Sequence, residues 1–332
     1  MRYLLLIGRV FNRYQTRFYF SEINAGIKTL QFTNNEGDLI KMNRKKILTF
    51  ICLTFLISWA AAGLFYLSGL GWGNLIATVF AIGYMYFPLI GAVIVQKFIY
   101  KQPVMKTYGV NKKINRWFLV AWGLPVLLTF ATIGVSFLLP GVSYSSEMVG
   151  LIDFSGAITE DMMSEMPFSP VVMFWIMLLQ GLIAGPTINA LAAFGEELGW
   201  RGFLLKETAS AGFWKSSIFI GLVWGIWHAP LILMGHNYPG FEVAGVFMMT
   251  FWCILLSPMF SYVTIKANNV IAAAIMHGSL NAVAGLSIMP LAGSKPLLTG
   301  LTGLAGFIVL AVLNLVIYFF GKTEELMKKE IF

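Results

Sequence analysis

Two adjacent carboxylates, Glu196 and Glu197, stand at the end of a long apolar run in the stretch from Ala192 to Leu205. An ionisable group at membrane depth costs at least about 2.5–3.5 kcal/mol on insertion scales, so a membrane chain that keeps one usually uses it. The other carboxylates lie outside the apolar runs or at their edges. Glu196 and Glu197 are therefore the carboxylates best placed for chemistry inside a membrane.

The spacing around this pair assigns different roles to the two glutamates. Residues four apart share a helix face, whereas adjacent residues diverge by about 100°. Glu197 therefore faces Arg201, and the two are predicted to form an ion pair. Glu196 has no local partner and is the candidate general base or metal ligand. The alternative is that both glutamates are solvated charges at a cytoplasmic interface.

Two of the three histidines, His228 and His277, lie inside apolar runs. Trp224 precedes His228 by one turn, and Asn281 follows His277 by one turn, so His277 and Asn281 share a helix face. Each histidine alone is equally well explained as a hydrogen-bonded core residue. Polar groups on three different apolar runs nevertheless predict one shared buried site. We interpret His236, between two runs, as an ordinary loop residue.

Other catalytic patterns are weaker. The sequence contains no His-Glu-x-x-His motif, and no Asp lies in a span where an intramembrane aspartyl pair would need it. Ser279 is better interpreted as a small packing side chain than as a nucleophile. Cys52 and Cys253 lie in apolar runs and are expected to be small hydrophobic residues without a function.

The composition decides the class of protein. The chain has 332 residues, of which 58% are hydrophobic and 11% charged, whereas soluble domains have about 45–50% apolar and about 25% charged residues. The formal charge of +8 is spread over short loops, so we expect no nucleic-acid partner. These features predict an all-α, polytopic membrane protein whose surroundings are the lipid bilayer.

Runs of about 20 apolar residues, the length that crosses a bilayer, occur eight times and predict about eight transmembrane helices with an intramembrane active site. They cover residues 47–67, 75–96, 117–139, 171–195, 216–235, 243–265, 270–292 and 299–320.

The basic residues predict the orientation, because Lys and Arg collect in cytoplasmic loops. A cytoplasmic N-terminus places the basic connection 97–116 inside, together with Arg201 and Lys266. It places the loop 141–170, which has acidic but no basic residues, outside. We therefore expect a multi-pass protein of the cell membrane with both termini in the cytoplasm.

Residues 1–41 differ in character from the rest, and a basic tip followed by the first span begins at Met42. We interpret 1–41 as an N-terminal extension, either disordered or reflecting a start that is not native. The membrane domain is predicted over 42–322, with its motifs between 171 and 290, and a cytoplasmic tail over 323–332.

The three polar groups occur as Glu196-Glu197-x-x-x-Arg201, Trp224-x-x-x-His228 and His277-x-x-x-Asn281. This series resembles the three motifs of the CPBP family of intramembrane proteases, which includes the type II CAAX prenyl endopeptidases and bacteriocin-processing or immunity proteins. The resemblance covers roughly residues 171 to 290. One departure is that the family usually has Phe at the position of Trp224, which we interpret as an exchange of packing residues.

The resemblance implies an endopeptidase that cleaves a peptide or protein substrate in or at the membrane. Glu196 and His228 would activate water, while His277 and Asn281 would bind a metal or stabilise the oxyanion, with Glu197, Arg201 and Trp224 in support. Glu196, His228 and His277 would supply a His₂Glu set for one divalent metal, with zinc the expected ion, and a metal-free mechanism is the alternative.

Two other functions fit the same residues. One is a non-catalytic membrane protein, such as an immunity factor or a scaffold. The other is a proton-coupled carrier in which the Glu and His residues relay protons. A carrier often shows an inverted repeat, and the sequence has none that is clear.

Overall fold

The computed structural model describes residues 42–150 and 167–327, which are mainly helical with loops between the helices. The predicted extension 1–41, part of the acidic loop and the end of the tail lie outside the described residues. Within them, six helices are long and apolar enough to cross a membrane, and two apolar helices are shorter. Each of the eight predicted spans overlaps one of these helices, but only six of them have a helix long enough to cross a membrane within the described residues. The all-α, polytopic membrane fold is confirmed.

The spans before the motifs form four α-helices and one short π-helix, which follows the third of them. These are α1 (Arg44–Leu67), α2 (Leu75–Met85), α3 (Phe87–Val93), the π-helix Ile94–Ile99 and α4 (Trp117–Ser136).

The motif-bearing part begins with one long helical segment, Pro170–Ala211. It contains α5 (Pro170–Ala184), the π-helix Gly185–Asn189, α6 (Ala190–Glu197), the π-helix Leu198–Leu204, α7 (Leu205–Thr208) and the 3₁₀ turn Ala209–Ala211.

The remaining elements complete the domain. They are α8 (Phe213–Trp227), α9 (Ala229–Leu233), α10 (Glu242–Ala267), α11 (Val270–Val283), the 3₁₀ turn Ala284–Ser287, α12 (Leu304–Phe320) and α13 (Thr323–Met327). Two short strands, β1 (Ser143–Tyr144) and β2 (Leu291–Ala292), pair antiparallel with Ser143 opposite Ala292.

Three predicted boundaries differ from the structure. The run 171–195 continues as helix to Ala211, because the polar residues after Glu197 are buried by neighbouring helices rather than exposed in a loop. The run 216–235 is divided between α8 and α9, where Pro230 lies in the first turn of α9 and has no N–H to continue the ladder of α8. The run 270–292 ends as helix at Ser287.

The turn between α10 and α11 consists of two asparagines. Asn268 has φ 49° and ψ 42°, a left-handed conformation that Asn tolerates and that ends α10. The side chain of Asn269 accepts a hydrogen bond from the N–H of Ile271 and caps the start of α11. Two consecutive polar residues thus stop one span and begin the next.

Glycines permit the close helix crossings that bring the motifs together. A methyl group at Gly278 of α11 would lie 2.3 Å from the backbone nitrogen of Ala190, and one at Gly185 would lie 2.7 Å from Cα of Ser279. Small residues of this kind let membrane helices approach to backbone contact. Ser279 lies in this crossing, which leaves room only for a small side chain. His277 precedes Gly278 in the chain and so lies next to the crossing.

Candidate active site

Glu196 and Glu197 lie at the end of α6, between two π-helical segments. Such π segments are rare and occur frequently at functional sites. The following segment packs closely on α3, since a methyl group at Gly199 would lie 2.5 Å from Cβ of Pro88. Glu196 is 3% exposed and Glu197 is fully buried, so the pair is not a solvated interfacial one.

Glu197 holds together two of the three motifs. Its Oε1 atom lies 3.1 Å from Nη1 of Arg201, as the spacing predicts, and 2.7 Å from Nδ1 of His277. The second contact, from α11, could not be predicted from spacing along one helix. Because an ionised carboxylate only accepts hydrogen bonds, we assign the Nδ1 proton to His277 and leave its Nε2 free for the reaction.

Arg201 is fully buried and lies between two aromatic rings. Its guanidinium carbon is 4.3 Å from the ring centroid of Trp224 and 4.5 Å from that of Phe260. The Nε and Nη2 groups have no hydrogen-bond partner among the described residues. Arg201 is therefore enclosed by the protein rather than exposed in a loop.

Glu196 is held by Trp224, across the contact between α6 and α8. The indole Nε1 of Trp224 donates to Oε2 of Glu196 at 2.6 Å. The interpretation of Trp224 as a packing residue is thus incomplete. A signal was present in the sequence, because a buried indole N–H usually finds a partner. The indole of Trp200 lies near the same carboxylate, but its Nε1 has no hydrogen-bond partner among the described residues.

His228 lies at the end of α8 and is half-buried. Its Nδ1 is 2.8 Å from the backbone oxygen of Trp224. A carbonyl oxygen only accepts hydrogen bonds, so we assign the proton to Nδ1, which leaves Nε2 with a free lone pair. The two site histidines are thus both fixed through Nδ1, which is the arrangement that orients a reactive ring.

Phe260, on α10, is a site residue that the motifs do not contain. Its ring centroid is 5.8 Å from that of His277, at an interplanar angle of 90°. It therefore covers both Arg201 and His277. No sequence signal marks it, because one more Phe in an apolar span looks like any core residue.

Two polar residues lie apart from the hydrogen-bonded cluster. Asn281 is exposed on α11, one turn from His277, and the structure shows no bond from it to the cluster within the described residues. His236 is half-buried in the loop after α9 and packs on Trp72, with ring centroids 4.9 Å apart. Burial lowers the pKa of His236. Its predicted place in a loop agrees with the structure.

The zinc ligands predicted from sequence are Glu196, His228 and His277. Over 42–150 and 167–327, no three His, Cys, Asp or Glu side chains come close enough together to hold a metal ion. A catalytic zinc normally takes three protein ligands, and the contacts of Nδ1 of each site histidine and of Oε2 of Glu196 leave both Nε2 atoms and the second carboxylate oxygen without a hydrogen-bond partner among the described residues, as the hydrogen bonds that orient metal ligands also do. The zinc requirement stays a prediction, and no step below passes through a metal.

Fold and site together define a polytopic helical membrane protein with a buried Glu, His and Arg cluster. Residues 170–283 match the family model described as Type II CAAX prenyl endopeptidase Rce1-like. A similar curated protein is CAAX prenyl protease 2 of Methanococcus maripaludis, with 34% identity over 119 residues. That match covers 34% of this chain and 38% of the relative, so it spans little more than a third of each. The motif-bearing segment is therefore similar to the type II CAAX prenyl endopeptidases, the group that its motifs also resemble.

Proposed function

We propose that the chain is an intramembrane endopeptidase that hydrolyses a peptide bond of a membrane-associated substrate. The observation that supports it best is the pair of contacts made by the two adjacent glutamates. Glu197 accepts from His277 and Arg201, while Glu196 accepts from Trp224 and keeps its second oxygen for another donor. One carboxylate serves the structure of the site and the other is available for proton transfer.

In the proposed reaction, Glu196 removes a proton from a water molecule. The neutral His228, with the lone pair of Nε2 free, accepts a hydrogen bond from the same water and orients it. The water oxygen attacks the carbonyl carbon of the substrate, and the negative charge passes to the carbonyl oxygen. The C–N bond then breaks, and the leaving nitrogen takes the proton that Glu196 received.

His277 is the proposed donor to the developing oxyanion. When it is protonated, Nδ1–H is held by Glu197 and Nε2–H is free to donate to the oxyanion. The carboxylate of Glu197 stabilises the imidazolium in that state, as a buried carboxylate does for a catalytic histidine in other hydrolases. Asn281 is exposed one turn away. It is the proposed second donor to the oxyanion and would reach it only when substrate is bound.

The names of the matching family and relative both refer to CAAX prenyl substrates. We therefore propose a prenylated C-terminal peptide as the first substrate to test. Purified protein should cleave a prenylated peptide in lipid, with the unprenylated peptide and a leader peptide in parallel, and Glu196→Ala as the inactive control. Equal products from wild type and Glu196→Ala, or none from any substrate with folded wild type, would reject the proposal in favour of a non-catalytic protein.

A further inference from the structure

We propose that Trp224 is a positioning residue for the general base: its indole N–H fixes one oxygen of Glu196, so that the other oxygen is presented to the attacking water. This inference rests on the proposed function. It concerns the indole nitrogen of this chain, which a Phe at the same position would lack.

The contact is specific to the catalytic carboxylate. Trp224 Nε1 lies 2.6 Å from Oε2 of Glu196, and an indole has one donor and no acceptor. It can therefore bind one carboxylate oxygen and leave the other free. Both residues are buried, with Trp224 1% and Glu196 3% exposed, so water competes little for the bond. A hydrogen bond to a charged acceptor is shorter and about twice as strong as one between neutral groups.

Several packing contacts fix the position of the Trp224 ring. Its ring face contacts the guanidinium of Arg201, which is paired with Glu197. On its own helix, a methyl group at Gly225 would lie 2.4 Å from Cα of Thr250, so α8 is pressed against α10 at this point. The indole N–H thus projects from a fixed ring towards Glu196. A free carboxylate would rotate about its terminal torsion, which is broad in solution.

The substitution Trp224→Phe removes the indole hydrogen-bond donor and keeps the aromatic packing. Phe keeps an aromatic face for Arg201 and removes the N–H, so the protein should fold while Glu196 loses its orientation. We expect kcat to fall about tenfold or more, which is the usual effect of a hydrogen bond to a charged group. KM should stay within about twofold, because no contact with bound substrate is removed.

The matched control is Trp227→Phe, on the same helix and one turn away. Trp227 is also 1% exposed, and its indole donates to Oγ of Ser58 at 2.8 Å, away from Glu196. Its ring packs on His228 with centroids 4.9 Å apart, and Phe keeps an aromatic ring there. The control therefore loses a buried indole hydrogen bond of similar length. If lost packing or stability were the cause, both variants should lose kcat and thermal stability alike.

A spectroscopic measurement tests the bond without catalysis. In protein labelled with ¹⁵N-tryptophan, the indole signal that disappears in Trp224→Phe identifies Trp224. We expect this signal to move when Glu196 is replaced by Ala, and the Trp227 signal to stay in place. An unmoved Trp224 signal would overturn the contact. A moved signal with wild-type kcat in Trp224→Phe would overturn the positioning role, whereas an inactive wild type would reject the proposed protease function itself.

Discussion

Nδ1 of His277 lies 2.7 Å from Oε1 of Glu197, the same oxygen that pairs with Nη1 of Arg201 at 3.1 Å. One carboxylate oxygen therefore joins α11 to the long helix that carries both glutamates. Since Glu197 and Arg201 are fully buried, the loss of either leaves the other charge without compensation. This contact supports a structural role for Glu197, and the role of general base at Glu196 stays a proposal.

The first prediction compares the two glutamates. Glu196→Gln keeps the shape of the side chain and removes the proton acceptor, so activity should fall by about 10²–10⁴ with little change in protein yield. Glu197→Gln leaves Arg201 buried without a countercharge and should cost about 3–5 kcal/mol of stability. Thermal unfolding and yield in detergent, alongside cleavage rates, check both. Normal cleavage by Glu196→Gln would remove it from the mechanism.

The second prediction concerns the crossing beside His277. Gly278→Ala places a methyl group against the backbone of Ala190, which overpacks the contact and should cost about 1–3 kcal/mol. It should also reduce activity by moving His277 away from Glu197. Gly285→Ala, where a methyl group meets nothing within 4 Å, is the control and should be tolerated. Equal melting temperatures for the two variants would show that the crossing is not tight.

The third prediction concerns a metal. The mechanism proposed for Glu196 and His228 uses no metal, and under it cleavage should survive dialysis against a chelator, whereas the zinc predicted from sequence would make cleavage depend on the ion. The measurement is activity together with elemental analysis of the same sample. Parallel loss of zinc and activity on dialysis, with recovery of both on adding zinc back, would establish the zinc site that Glu196, His228 and His277 predict from sequence.

The fourth prediction concerns topology. The basic connection 97–116 is expected on the cytoplasmic side of the membrane and the acidic loop 141–170 on the external side. Reporter fusions after Lys113 and after Gly141 should lie on the cytoplasmic and external sides, respectively. A helix of 20 residues, α4, separates the two points and is long enough to cross the membrane. The same side for both fusions would contradict the predicted orientation.

Local features of the amino-acid sequence were enough to predict the class of protein, the approximate positions of its helices and the segments that carry the motifs. Apolar length and charge are local properties, so a span can be recognised before its neighbours are known. The Glu197–Arg201 pair was predictable for the same reason, since both residues lie on one helix at a spacing of four. The three motifs were expected to converge because polar groups in apolar spans are costly without partners.

The hydrogen-bond partner of each polar group depends on the packing of the helices and could not be predicted from local features. That His277 binds Glu197, and that Trp224 donates to Glu196, depends on how α6, α8 and α11 are rotated and how closely they cross. Lys46 gives a further example. It belongs to the basic segment before the first span, yet it is only 5% exposed, and its Nζ lies 2.5 Å from Oε1 of Glu207. Helix rotation is set by many packing contacts between distant residues, at crossings such as that of Gly278 with Ala190, and no spacing along one helix contains that information.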